Sequence, residues 1–436
     1  MRDEIVVTGM GVVTPIGGSV ESFWDANLQG RSGLRLEDRM DLATLPCGWV
    51  AGIISDDVKA SVRGCWGRTG RSWTDCLLHD AVDQALRDSR FDGRLGRPAG
   101  LIWAKVSPGP GGPFPEDYAK YMKNVAERYR TVGTEPAAVA EYLRGQPLPP
   151  EALDLSDFPA EMSARLDAPL FATRLEATCA GGLRAVVEAS RLLRMGKVGF
   201  AVVAASVSRN THYVLSQYGQ LMALSRWRGA PEYASMPFDR RRSGMVINES
   251  AGALILETGE HARSRGVEDA HAVIGGWGLA VGTGHLTAPS IDAVEHVIRG
   301  ALEHSSTSPE DIDAINAHGT STRLNDVTEA RALHRVFGEH MKHIDVCAVK
   351  SLTGHGSAAS GVVESVVAAL TLCRGVVPPV VTCTEPDPAC DVRTSVTPVR
   401  RPVTHVLKNS FGFGGQYASM VFQRPSNPRL PAAAGS

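Results

Sequence analysis

AHAVIGGWGLAVG, residues 270–282, begins for a second time something the chain began at residue 4. The first opening, EIVVTGMGVV at residues 4–13, is also an apolar, β-branched run broken by glycines. Both read as buried strands. After the first come helical patterns (VESFWDANLQGRSG, WTDCLLHDAVDQALRDS) and strand-like runs (AGLIWAKV, VGFAVVAASVS, SAGALILET). After the second, helix and strand alternate: IDAVEHVIRGALEHS, DIDAINAHG, VTEARALHRVFG, HIDVCAVK, SGVVESVVAALTLCRG, then a strand pair ending in YASMVFQ. Strands alternating with helices predict α/β layers around a largely parallel sheet. The restart near residue 270 points to two similar halves, although two such openings can also look alike by chance.

Composition removes several classes. The chain has 436 residues, 43% hydrophobic and 21% charged, with a net charge of −2. That is ordinary for a globular protein and gives no general attraction to nucleic acid or an anionic membrane. No run approaches the roughly 20 apolar residues of a membrane span. The N-terminus enters a strand pattern directly, without the pattern of a secretory leader. The eight cysteines show no CxxC pair and no metal-type spacing with histidine. A cytoplasmic location with reduced thiols is the expectation.

Four segments carry the chemistry: EATCAGG (176–182), NAHGTST (316–322), VKSLTGHGSAASG (349–361) and KNSFGFGGQ (408–416). Cys179 follows a β-compatible run, and Leu183, Val186 and Val187 then recur at helical spacing. That places the sulfur at a helix N-terminus, where exposed N–H groups and the positive dipole end favour thiolate. His318 follows a strand-like run and opens a Gly/Thr/Ser loop; His355 lies between two glycines, also between strand and helix, and Lys350 ends the strand before it. Strand C-terminal ends are where α/β sheets place their chemistry. Phe413 sits among glycines that permit close backbone approach to a ligand, as an oxyanion hole requires. Each residue taken alone has a plainer reading: a core cysteine, a loop histidine, a solvated lysine, a hairpin aromatic.

Together these segments resemble the β-ketoacyl-ACP synthases of the thiolase superfamily. The resemblance runs from EIVVTGMGVVTPIG to SFGFGGQYASMVF and includes PFDRRRSGMVINE (237–249), HGTSTRLNDVTEA (318–330) and KSLTGHGSAASGVVES (350–365). It implies a thiolase-like fold, two βαβαβαββ halves in a five-layered αβαβα arrangement. The expected division is residues 1–265 and 266–426, with a divergent insertion at about 107–170 and a flexible tail at 427–436. It implies decarboxylative Claisen condensation of a Cys-bound acyl chain with malonyl-ACP, in polyketide or specialised fatty-acid biosynthesis. Cys179 would be the acyl-accepting nucleophile, His318 and His355 the paired histidines, and Lys350 the supporting lysine with Glu329 as its ion-pair partner. Phe413 would be the gating residue whose N–H joins that of Cys179 in the oxyanion hole. Plain acyl transfer to an alcohol or amine, and a chain-length-controlling subunit, remain the alternatives; the presence of the cysteine argues against the second.

Departures from the family pattern are informative. Asn248-Glu249-Ser250 stands where Gly-Glu-Gly is common, and Thr178 precedes the cysteine where a small residue is usual. Lys408 also replaces a small residue. In some relatives the region of Asn316, Glu364 and Asn409 binds a monovalent cation, and the Lys408 ammonium is expected to stand in its place. No metal and no cofactor is expected; phosphopantetheine would arrive on a separate acyl carrier protein, since no carrier site occurs in the chain. Arg68, Arg71, Arg226 and Arg228 are the candidate docking residues for that acidic partner. A homodimer is expected, with a heterodimer as the alternative.

Overall fold

The computed structural model describes residues 4–37, 47–67, 71–105, 157–208, 212–282 and 286–429. Ten strands form its main sheet: β1 Ile5–Val13, β2 Ala99–Lys105, β3 Leu170–Leu175, β4 Phe200–Ser208, β5 Glu249–Thr258, β6 Ala272–Val281, β7 Ala314–Asn316, β8 Asp345–Cys347, β9 His405–Gly412 and β10 Gln416–Gln423. Their spatial order is β8-β7-β9-β10-β6-β1-β5-β4-β2-β3. Read outward from the centre, both sides carry the same order, so the restart at residue 270 is a topological repeat. The two sides meet through a short antiparallel contact, Val6 opposite Val273 and Val7 opposite Ala272.

Six helices fill the layers: α1 Trp73–Asp88, α2 Phe158–Leu166, α3 Gly181–Arg194, α4 Ile291–Ser305, α5 Arg323–Phe337 and α6 Ala358–Arg374. Three separate cores define the stacking. One packs α1 and α2 on the outer face of the first half-sheet, with Leu77, Val82, Trp103 and Phe158. A second packs α4 and α5 outside the other, with Ile298, Leu333 and Phe337. The third lies between the half-sheets and is built on α3 and α6, with Val186, Val362 and Val366. Helix–sheet–helix–sheet–helix is the five-layered arrangement expected. The inner pair explains why SGVVESVVAALTLCRG lacks a polar face: every residue of α6 except its last, Arg374, is buried.

The inner helices approach more closely than side chains allow. A Cβ on Gly182 would sit 2.2 Å from the Ala358 carbonyl oxygen, and one on Gly361 would sit 2.5 Å from the Leu183 nitrogen. Glycines at both points let the two N-terminal turns touch, and this crossing sets Cys179 beside the His355 segment.

Four sequence expectations need adjustment. The sheet is mixed, not largely parallel: β1 pairs antiparallel with β5 and β6, β10 with β6 and β9, and β4 with β5, while β2–β3, β2–β4, β7–β8 and β7–β9 are parallel. Of the stretch 107–170, residues 107–156 lie outside the described residues, whereas 158–166 form α2 and residue 170 opens β3, regular members of the repeat. The tail is pinned at its start: Arg429 donates to the carbonyls of Thr8 and Asp88 and to the Asp269 carboxylate, and its backbone pairs with Ala270. Residues 430–436 lie outside the described residues. Lys350 does not end β8, which stops at Cys347, but opens a one-turn helix, Lys350–Thr353.

Candidate active site

The chain leaves β3 and turns through one 3₁₀ turn, Thr178–Ala180, directly into α3. Thr178 has φ +46°, a strained value for a β-branched residue. Its hydroxyl donates to the Phe413 carbonyl at 3.2 Å, tying the turn to the hairpin between β9 and β10. Cys179 is thereby fixed, 5% exposed, in the turn that leads into a 14-residue helix. Gly412 passes directly over it: a Cβ there would lie 3.1 Å from the Cys179 nitrogen and 2.1 Å from Thr178 Oγ1.

His318 follows β7. Its backbone N–H donates to Glu329 Oε1 at 2.8 Å, and that of Gly319 donates to Glu329 Oε2 at 2.9 Å. Glu329, on α5, so spends its carboxylate on the loop backbone; Asn409 Nδ2 adds a third donor at 3.0 Å. The His318 ring packs edge-on to Phe411 and to His355, with centroids 5.3 and 5.4 Å away. His355 is held from the other side of the cleft. Its N–H donates to Val246 O at 2.6 Å, its carbonyl accepts from Asn248 N–H, and its Nδ1 lies 3.2 Å from Ser360 Oγ.

Behind the two rings lies a buried charge cluster. Lys350 Nζ donates to His318 O at 2.6 Å and forms an ion pair with Glu364 Oε1. This corrects the expected Lys350–Glu329 pair: Glu364, on α6, faces the ammonium, and Glu329 is engaged by backbone N–H groups. Lys408 lies in register with Asn316 on the neighbouring strand, fully buried, 2.7 Å from Glu364 Oε2. Its protons are directed at Asn409 O and, at 3.3 Å, Ser410 Oγ. Asn316 Nδ2 donates to Glu364 O at 2.9 Å. Asn316, Glu364, Lys408 and Asn409 therefore do converge.

Cys179, His318, His355, Phe411, Gly412 and Phe413 line one cleft. The cavity between them measures about 40 Å³, room for very few water molecules. Burial, then the Lys350 ammonium, holds both imidazoles well below their usual pKa, with Lys408 contributing to each and His355 to His318. Both rings are therefore neutral near pH 7 and each carries one N–H. A thiol at a helix N-terminus facing two neutral imidazole donors can hold an acyl group and stabilise negative charge on oxygen.

The docking candidates separate. Arg68 lies outside the described residues. Arg71 is not a surface arginine: its guanidinium, 8% exposed, forms an ion pair with Glu161 on α2 and donates to Trp66 O. Arg226 and Arg228 are exposed, and Arg228 stacks on Trp49. They follow Leu224, which is bridged to the cleft residue Met245. Sequence reading passed over Ser360 and Phe411; the only signals were a hydroxyl five residues after His355 and an aromatic two before Phe413.

Comparison with known proteins agrees with this geometry. Residues 2–262 match the family model "Beta-ketoacyl synthase, N-terminal domain" and residues 271–384 match "Beta-ketoacyl synthase, C-terminal domain". The chain is 30% identical over 432 residues to "3-oxoacyl-[acyl-carrier-protein] synthase 2" of Synechocystis, covering 97% of this chain and 98% of that one. It is 30% identical over 429 residues to "Putative polyketide beta-ketoacyl synthase 1" of Streptomyces cyaneus, covering 98% and 99%. Among solved structures it is similar to the ishigamide ketosynthase/chain length factor, with a TM-score of 0.82, 27% identity and coverage of 98% and 100%. A type II PKS acyl-carrier protein in complex with its ketosynthase bound to the hexaketide contributes a second match, with a TM-score of 0.81, 27% identity and the same coverage.

The neutral imidazoles can be tested directly. Titration of nitrogen-15-labelled histidines by NMR should show neither His318 nor His355 gaining a proton as pH falls from 7.5 through 6.5; a midpoint near 6.5 for either ring would refute their neutrality. Removing the Lys408 charge, in Lys408→Met, should move both midpoints upward.

Proposed function

The chain belongs to the β-ketoacyl synthase family, and from that premise we propose that it is a discrete condensing enzyme that joins a Cys179-bound acyl group to a malonyl unit on an acyl carrier protein. The observation that carries this reading is the convergence of one thiol and two neutral imidazoles on a single cleft. The Cys179 thiolate attacks the incoming acyl thioester, and the carrier thiol leaves. Malonyl thioester then loses CO2: the bond to the carboxylate breaks and its electrons form an enolate, whose oxygen receives N–H donors from His318 and His355. The enolate carbon attacks the acyl-cysteine carbonyl. The N–H groups of Cys179 and Phe413 stabilise the tetrahedral oxyanion, and collapse expels the thiolate and leaves a β-ketoacyl carrier protein.

Phe413 lines the cleft together with Cys179, which supports a gating role for its ring. It packs against Tyr218 and the Met245 cluster, on a hairpin with glycines at positive φ. Lys350 and Glu329 serve by fixing the His318 loop. Lys408 is proposed to do the work of a monovalent cation, supported by its burial against Glu364 and Asn409. A bound monovalent ion at Glu364 with Lys408 turned outward would overturn this.

The partner is an acyl carrier protein that brings its own phosphopantetheine. Among the described residues, edge strand β3 is hydrogen-bonded only to β2, and it exposes Phe171, which supports assembly with a second copy or a related chain. A division between residues 265 and 266 is proposed, and the topological repeat supports it. None of the eight cysteines is in a disulfide, and among the described residues no helix is long and apolar enough to cross a membrane; a cytoplasmic location is consistent with both.

Intact-mass and CO2 measurements with acyl- and malonyl-carrier proteins test the reaction. Cys179→Ala should lose acylation. His318→Ala and His355→Ala should still acylate but release CO2 roughly 10²–10³-fold more slowly. Acyl transfer without CO2 would favour the acyltransferase reading, and an unlabelled Cys179 the chain-length subunit. Charge reversal at Arg226 and Arg228 should weaken carrier-protein binding, most at low ionic strength; unchanged low-salt binding would remove them from the docking surface.

A further inference from the structure

The mechanism needs His355 as a donor toward the cleft, yet a neutral imidazole carries its proton on either nitrogen, and the partner of the other nitrogen decides which. Ser360, on the first turn of α6, is 6% exposed. Among the described residues its hydroxyl oxygen has two partners: the Gly356 N–H, which donates to it at 2.9 Å, and His355 Nδ1 at 3.2 Å. A hydroxyl has one proton to give. Gly356 N–H is itself a donor and cannot receive it, so the acceptor in reach is Nδ1. Were Nδ1 protonated instead, both neighbours would donate to Ser360 and the hydroxyl proton would be buried without an acceptor, which is unfavourable.

We propose that Ser360 is a positioning residue that fixes the tautomer of His355: its hydroxyl donates to Nδ1 and leaves the ring's single N–H on Nε2 for the enolate oxygen. The inference rests on the condensing reaction proposed above. The local backbone is built to keep this geometry. Asn248 Nδ2 donates to the carbonyls of Thr353 at 2.9 Å and Gly354 at 3.2 Å, and Asn248 Oδ1 accepts from Ser250 Oγ at 3.0 Å. A Cβ on Gly356 would lie 2.4 Å from Ser250 Oγ and 2.7 Å from Asn248 Oδ1, so the loop has no room to shift toward that pair. The Asn-Glu-Ser departure thus forms the seat on which the His355–Ser360 contact is set. His318 differs: among the described residues its Nδ1 has no hydrogen-bond partner, and Glu329 and Lys350 hold its backbone instead.

The test has a spectroscopic and a kinetic arm. Solid-state NMR of nitrogen-15-histidine protein, with His355 assigned by difference from His355→Gln, should show Nδ1 unprotonated and Nε2 protonated in the unaltered enzyme. In Ser360→Ala, CO2 release from malonyl-carrier protein by the pre-acylated enzyme should fall about tenfold, the scale on which one hydrogen bond biases two states. Acylation of Cys179 should be unchanged, and Ser360→Thr should restore CO2 release. A protonated Nδ1 in the unaltered enzyme, or acylation and CO2 release slowed equally in Ser360→Ala, overturns the proposal. Absence of CO2 release from the unaltered enzyme would instead overturn the condensing reaction, while the tautomer remains readable in the spectrum.

Discussion

The geometry of the candidate site depends on the close crossing of α3 and α6. Each helix begins at the site, one just after Cys179 and the other just after His355, and each belongs to a different half. Their contact through Gly182 and Gly361 leaves no room for a side chain at either point. Because protein interiors are packed as densely as crystals, a backbone contact of this kind defines distances far better than a surface loop could. The thiol and the imidazole are placed by the middle layer of the molecule, and the outer helices cover the far faces of the two half-sheets.

A second constraint is electrostatic. Lys350 and Lys408 are both buried against the one carboxylate of Glu364, and Glu329 lies close by among backbone N–H groups. Burying a charge without a partner is costly, so these groups have little freedom to rearrange. Burial and the Lys350 ammonium pull the neighbouring imidazoles toward their neutral form, with a further contribution from Lys408. The cluster is thus a scaffold and a source of field at once. It orders the His318 loop through its backbone and also sets the protonation state of the rings, so one arrangement serves packing and chemistry together.

The sequence was most legible where its signal was local. α1 and α4 follow from apolar spacing, and β1 and β6 from their glycine-broken apolar runs. The thiol at a helix start was readable from Leu183, Val186 and Val187 recurring after Cys179. What failed to read was long-range pairing. Glu329 and Glu364 are both carboxylates near the right motifs, and nothing in their spacing says which one meets Lys350. Arg71 looks like any exposed arginine until α2 brings Glu161 against it. Ser360 looks like one more small residue in a Ser/Ala/Gly helix, and only the fold shows its hydroxyl under an imidazole.

The chain by itself determined the alternation of strands and helices, the doubling of the architecture and which residues are candidates for the reactive groups, since periodicity and residue chemistry are properties of short segments. Tertiary structure alone decided which carboxylate neutralises which ammonium, which arginines remain at the surface, and which nitrogen of His355 is offered a proton. Those outcomes depend on contacts between residues far apart in the chain, where a few ångströms of packing separate a partner from a bystander.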